Sequence, residues 1–142
     1  MTANFVWDEK YSVQVPQIDT QHKMFFEIAN EIVNSINAKT ADKEMLISLI
    51  GRLIGYSFYH LNFEEYYFEK YKYEDRFTHK DEHDSFRVSV QKYKDASEKA
   101  EADIKEVASE LADFSTQWLK QHILVVDAKY TDFFNNCPVE EY

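Results

Sequence analysis

The stretch His60–His83, HLNFEEYYFEKYKYEDRFTHKDEH, constrains this chain more than any other. It opens with His60 and Glu64 four residues apart and closes with His79 and His83 at the same spacing. In an α-helix, side chains four apart stand on one face, one above the other. Each pair can therefore grip one ion from a single helix. The residues between the pairs suffice to end one helix, turn, and start another running back. Four metal-binding side chains are then expected to converge from two antiparallel helices. Little in the chain would interrupt such helices, because its 142 residues include only 2 Gly and 2 Pro. So few breakers argue against a many-turned β-sandwich and for long helices.

This length suits one domain, residues 1–142, large enough to bury a real core. Aromatics make up 16% of the chain, and they bury large areas. A net charge of −10 disfavours nucleic acid and anionic membranes as partners and leaves small ligands open. The one cysteine, Cys137, cannot form an internal disulfide, which fits a reducing, cytoplasmic setting. The opening MTANFVWDEK is polar and acidic where a signal peptide needs a basic, then apolar, run. No apolar run approaches the roughly 20 residues of a membrane span.

Hydrophobic spacing predicts an all-α bundle of four helices with an extended N-terminal arm and a short C-terminal segment. The arm, residues 1–17, carries Phe5, Trp7, Tyr11, Val13 and Val15, has no partner strand in the sequence, and is expected to end at Pro16. A first helix of about 19–37, capped by Asp19, has His22 among Ile18, Phe25, Phe26 and Ala29 on its inner stripe. Gln21 falls on the polar face with Lys23 and Glu27. A second helix of about 41–71, capped by Thr40, has His60 and Glu64 in line with Leu46, Leu53 and Phe68. Gly51 and Gly55 either admit a neighbouring helix or are tolerated surface glycines. A third helix of about 76–96 carries His79 and His83 inward, and a fourth of about 102–128 carries Leu119 and His122. The tail from Tyr130 is expected to form a short helix closing one end.

All five histidines fall on inward stripes. A lone histidine on an apolar face is more often a satisfied core residue than a ligand, and each short motif alone is a weak signal. Together, five buried imidazoles and a buried carboxylate would lose their water unless something paired with them. A metal ion is the economical partner. Imidazole with carboxylate suits iron or manganese, and the absence of paired thiolates argues against structural zinc. A further acid is needed near His122. Asp127 lies five residues on, which on an ideal helix points about 140° away. It reaches the site only if the helix widens locally, as in a π-bulge, or if it leans in from the adjoining stripe.

These residues resemble the ordered signature of the bacterial hemerythrins: Ile18-Asp19-x-Gln21-His22-Lys23, His60-x-x-x-Glu64-Glu65, His79-x-x-x-His83, then Trp118-Leu119-x-x-His122-Ile123-x-x-x-Asp127. The likeness runs from the aromatic arm to Asp127, with all seven ligand positions filled in order. It implies an all-α, up-down-up-down antiparallel four-helix bundle around a non-haem di-iron site that binds dioxygen reversibly. By position, His79, His83 and His122 would ligate one iron ion, and His22 and His60 the other, which keeps an open coordination position. Glu64 and Asp127 would bridge the two ions together with a solvent-derived oxo or hydroxo group. Glu65 would stand behind the ligands, and Leu119, one turn before His122, is the candidate wall of the dioxygen pocket. Phe68 stands where a methionine is frequent in that family and is not expected to touch a ligand. Glu74 stands where a proline often follows the turn's tyrosine.

The resemblance implies an oxygen carrier, store or scavenger and not an enzyme, with dioxygen as its partner and room for an unidentified protein recipient. Ferritin-like di-iron enzymes are built on paired Glu-x-x-His motifs, and the chain contains no Glu-x-x-His. The alternatives are oxygen or redox sensing through a partner, and weak oxidase or peroxidase activity.

Overall fold

The structure, a computed structural model, describes residues 4–39 and 41–139. Pro16 starts the first helix instead of ending the arm. It sits at the first position of α1 (Pro16–Asn37), where its missing N–H costs nothing and its fixed φ suits the helix. Asp19, the expected cap, therefore lies inside the first turn. Its carboxylate accepts hydrogen bonds from Ser12 Oγ at 2.6 Å and Val13 N at 2.9 Å, tying the arm to the helix. Further along the arm, Phe5 exchanges two backbone hydrogen bonds with the Asn30 side chain and stacks on Phe26, ring centroids 3.6 Å apart.

Asp42 caps α2 (Lys43–Lys70) by accepting from Met45 N at 2.8 Å. Thr40, the expected cap, lies outside the described residues. The helix ends without a glycine. Lys72 takes a left-handed φ of 55°, Lys72 N–H points back to Glu69 O, and Tyr73 N–H donates to Phe68 O at 2.8 Å. This is the paired closure that satisfies a helix's last carbonyls, with its usual hydrophobic contact, here Tyr73 on Phe68. The turn reverses the chain into α3 (Arg76–Ser97) and so sets His79 and His83 opposite His60 and Glu64.

Asp103 caps α4 (Ile104–Val125) through Glu106 N. The fourth helix stops three residues short of the expected 128. After Val125 the chain tightens into a 3₁₀ turn, Asp127–Tyr130, and then a short helix α5 (Thr131–Asn136). The four long helices form an all-α bundle in which α1 and α3 each pack against both α2 and α4, and the arm's turn lies on α4. The inward stripes are wider than the spacing alone suggested: Ile28, Ile54, Leu61, Phe63, Ala108, Ala112 and Ile123 are also buried.

No neighbouring helix approaches Gly51 or Gly55, since a Cβ built on either would meet nothing within 4 Å. They are exposed mid-helix glycines, which cost backbone entropy without a packing return. Gly51→Ala and Gly55→Ala should each stabilise the fold by about 0.5–1 kcal/mol. Chemical denaturation would register this as a higher midpoint at unchanged slope.

Candidate metal centre

Each wall of the bundle delivers part of one cluster. α1 contributes His22, α2 His60 and Glu64, α3 His79 and His83, and α4 His122. Asp127 arrives from the turn after α4. None of the seven is more than 3% exposed. The stripes carry the first six inward by helical spacing. Asp127 comes in through a departure from regular α geometry after His122, supplied by the end of the helix and not by a π-bulge. The α-helix ends before it, and the 3₁₀ turn re-aims its carboxylate.

Donor atoms form two groups of four within 4.8 Å: Glu64, His79, His83 and His122, and His22, His60, Glu64 and Asp127. Each carboxylate divides its oxygens between the two sides. Glu64 Oε1 lies 3.4 Å from His79 Nε2 and 3.2 Å from His83 Nε2, while Oε2 lies 3.5 Å from His60 Nε2. Asp127 Oδ1 lies 3.0 Å from both His79 Nε2 and His122 Nε2, while Oδ2 lies 3.2 Å from His22 Nε2. His22 and His60 bring their Nε2 atoms to 3.1 Å of each other, as do His79 and His122.

These separations test whether cations fit. Neighbouring donors on an octahedral ion with bonds of about 2.1 Å lie about 3.0 Å apart. Yet Glu64 Oε1, His83 Nε2 and both Asp127 oxygens are buried without a hydrogen-bond partner despite their short contacts. They aim at shared space and not at one another. Buried polar atoms in that state are costly, and a cation in each group would satisfy them.

Three outer groups hold the ring. Gln21 Oε1 is 2.8 Å from His60 Nδ1, Glu65 Oε2 is 2.7 Å from His83 Nδ1, and Tyr130 Oη donates to Glu64 Oε2 at 2.6 Å. An acceptor at Nδ1 places the proton there and leaves Nε2 as a lone pair facing the centre. Glu65 is in turn held by Arg87 at 2.8 Å. Burial would raise the Glu65 carboxyl, but His83 and Arg87 hold it below its usual range. Burial also opposes ionisation of Glu64 and Asp127, yet the surrounding imidazoles hold both well below the carboxylate range. Burial, then the charges of Asp127 and Glu64, push the Tyr130 phenol well up, so it stays a donor.

Sequence reasoning placed Gln21 on the polar face, but it is 6% exposed and faces His60. The signature position beside His22 was its only clue. Tyr130 was read only as the start of the tail, and nothing in its spacing tied it to a residue on α2. Phe68 does touch a candidate ligand: its ring lies 4.7 Å from that of His79 and 5.8 Å from that of Tyr130. Trp118 stacks on His122 with centroids 4.3 Å apart. Leu119 is fully buried on α4, one turn before His122.

Protein stripped by a chelator should lose stability on both sides of neutrality. Burial, reinforced by His22, lowers His60 from the ordinary 6.5 to about 3, although Glu64 and Asp127 act to raise it. The unfolded chain then binds the extra proton first, and stability falls as pH drops from 6.5 towards 3. Burial would lower His79 too, but Asp127 and Glu64 raise it to about 10, so its contribution fades as pH rises from 6.5 through 10. Melting temperature of the stripped protein against pH should therefore peak between these limbs. A flat profile would show that the cluster is not coupled as its geometry requires.

Comparison with known proteins agrees with this geometry. The sequence model of a family described as "Hemerythrin HHE cation binding domain" matches residues 13–133. A bacteriohemerythrin of Clostridium acetobutylicum is 33% identical over 132 residues, covering 90% of this chain and 99% of the relative. A bacteriohemerythrin of Pseudomonas aeruginosa is 29% identical, covering 92% and 81%. The crystal structure of a wild-type hemerythrin superposes with a TM-score of 0.81 at 27% identity, covering 97% of this chain and all of that one.

Proposed function

This chain belongs to the hemerythrin family, and from that premise we propose that it binds dioxygen reversibly at a non-haem di-iron centre. The observation that carries the reading is the division of labour within each carboxylate. Glu64 and Asp127 each present one oxygen to the three-histidine side and one to the two-histidine side. Two carboxylates so arranged would each offer one oxygen to either member of a pair of cations. His79, His83 and His122 would hold one iron ion, His22 and His60 the other, and an oxo or hydroxo group would complete the bridge.

The bound metal pair supplies the electrons that dioxygen takes up on binding and recovers on release. The chain's own residues do the rest. Gln21 and Glu65 keep the His60 and His83 protons on Nδ1 and so aim both rings. Tyr130 holds Glu64 by one oxygen and keeps its proton, since its phenol is pushed well above the usual range. Leu119, Phe25 and Phe68 are buried apolar side chains of the surrounding core, and Leu119 is the proposed wall of the dioxygen pocket. A site with five nitrogen donors and two carboxylates favours a carrier, store or scavenger over the oxidative chemistry of carboxylate-rich di-iron enzymes. We read residues 1–142 as a single hemerythrin-like domain.

The direct test is reduction under anaerobic conditions followed by admission of air, watched by visible absorption. Protein loaded with iron should contain about two ions per chain, as expected for a two-cation bundle site. Its new absorption band should disappear when oxygen is removed. One ion or fewer in correctly folded protein would remove the di-iron reading.

Asp127→Asn keeps the shape of the side chain but takes one negative charge from a buried, cation-holding cluster, which a low-dielectric core resists. Iron should be lost first from the two-histidine side, where His22 and His60 leave the ion with fewer strong donors. The check is metal stoichiometry after dialysis against a mild chelator. Full retention with normal dioxygen binding would leave Glu64 as the only protein bridge.

A further inference from the structure

A centre walled by four helices still needs a way in for its metal. A cavity of about 240 Å³ opens between α3 and α4, lined by Glu82 and Ser85 on one side and Trp118, Gln121, His122 and Val125 on the other. Its lining grades inward. Glu82, Ser85, Gln121 and Val125 are exposed, Trp118 is half-buried, and His122 is buried. One water's share of liquid is about 30 Å³, so the space accommodates several waters or a partly hydrated ion.

His122 differs from the ligands that are clamped from behind. His60 and His83 have Nδ1 held by Gln21 and Glu65, whereas His122 Nδ1, like His22 Nδ1, is buried with no hydrogen-bond partner among the described residues. Its Nε2 stands 3.0 Å from Asp127 Oδ1 inside the cluster. One ring thus belongs to both the cluster and the cavity lining, and it can reorient without breaking a protein hydrogen bond at Nδ1. Three larger surface grooves, of about 710, 670 and 450 Å³, include none of the seven candidate ligands in their linings.

We propose that the α3–α4 cavity is the port through which a divalent cation reaches and leaves the centre. Glu82 at the mouth attracts the hydrated ion, and His122 is the first ligand to receive it as waters are shed into the cavity. The chain's net charge of −10 favours cation approach in general, and Glu82 localises that attraction at one opening. The proposal rests on the metal-centre reading above.

The probe is cobalt(II) chloride added to chelator-stripped full-length protein, with the rise of visible cobalt absorption followed by stopped flow. Ser85→Phe should plug the cavity and slow loading several-fold or more, with the final cobalt stoichiometry unchanged. Glu82→Gln should slow it by about two- to tenfold at low salt, and the difference should fade as ionic strength rises. Gly55→Phe, which fills open space on the exposed face of α2 and outside the cavity lining, is the control and should load at the wild-type rate. If circular dichroism shows that Ser85→Phe has not folded, Val125→Trp at the exposed mouth takes its place. Wild-type loading in the folded plug variant, or equal slowing by Gly55→Phe, overturns the port. Failure of the unmodified protein to bind cobalt at all would instead overturn the metal-centre reading.

Discussion

Everything in this structure depends on seven buried side chains whose donor atoms face the same small space. Five imidazoles and two carboxylates, each at most 3% exposed, have given up their water. Their closest contacts, 3.0–3.5 Å, are between atoms that mostly do not make satisfactory hydrogen bonds with one another. A core cannot hold such a cluster cheaply unless cations complete it. The bundle answers that constraint geometrically. Each helix crosses the centre once and delivers donors at helical spacing, and no donor depends on a long loop.

Around the cluster lies a layer that fixes protons and orientation. Gln21 and Glu65 decide which nitrogen of His60 and His83 is free, and Tyr130 fixes one oxygen of Glu64. On one side the chain of contacts runs outward from His83 through Glu65 to Arg87, which also bonds Asp84 and Asn62. On the α4 side no such clamp exists. His122 is backed by the Trp118 ring and by a small cavity. The centre is thus rigid where polar partners support it and open where an aromatic stack replaces them.

The turn after α2 shows how local closure serves the site. Lys72 occupies a left-handed conformation that favours glycine, and the contact of Tyr73 with Phe68 accompanies it. Phe68 also packs on His79 and Tyr130, so the same ring that seals the turn supports one histidine and the phenol behind Glu64. Phe68 therefore belongs to the ligand surroundings and not to a remote patch.

Helical periodicity with few breakers determined the bundle, and the placement of His22, His60, Glu64, His79, His83 and His122 on inward stripes was legible residue by residue. Local spacing carries that information because a helix fixes direction at a known angle per residue. The same rule required a departure from regular helix before Asp127, which the end of α4 at Val125 supplies, and it misplaced Gln21, because a residue beside the stripe can be turned inward by a partner on another helix. Pro16 opens α1, and Asp19, inside its first turn, is taken up by the arm's own Ser12 and Val13 and does not cap the helix. The meeting of Tyr130 with Glu64, of Glu65 with His83, and of each carboxylate with both histidine groups joins residues far apart in the chain. Sequence determined which side chains point inward; only tertiary packing decided which of their atoms meet, because those distances are set by how the helices lie against one another.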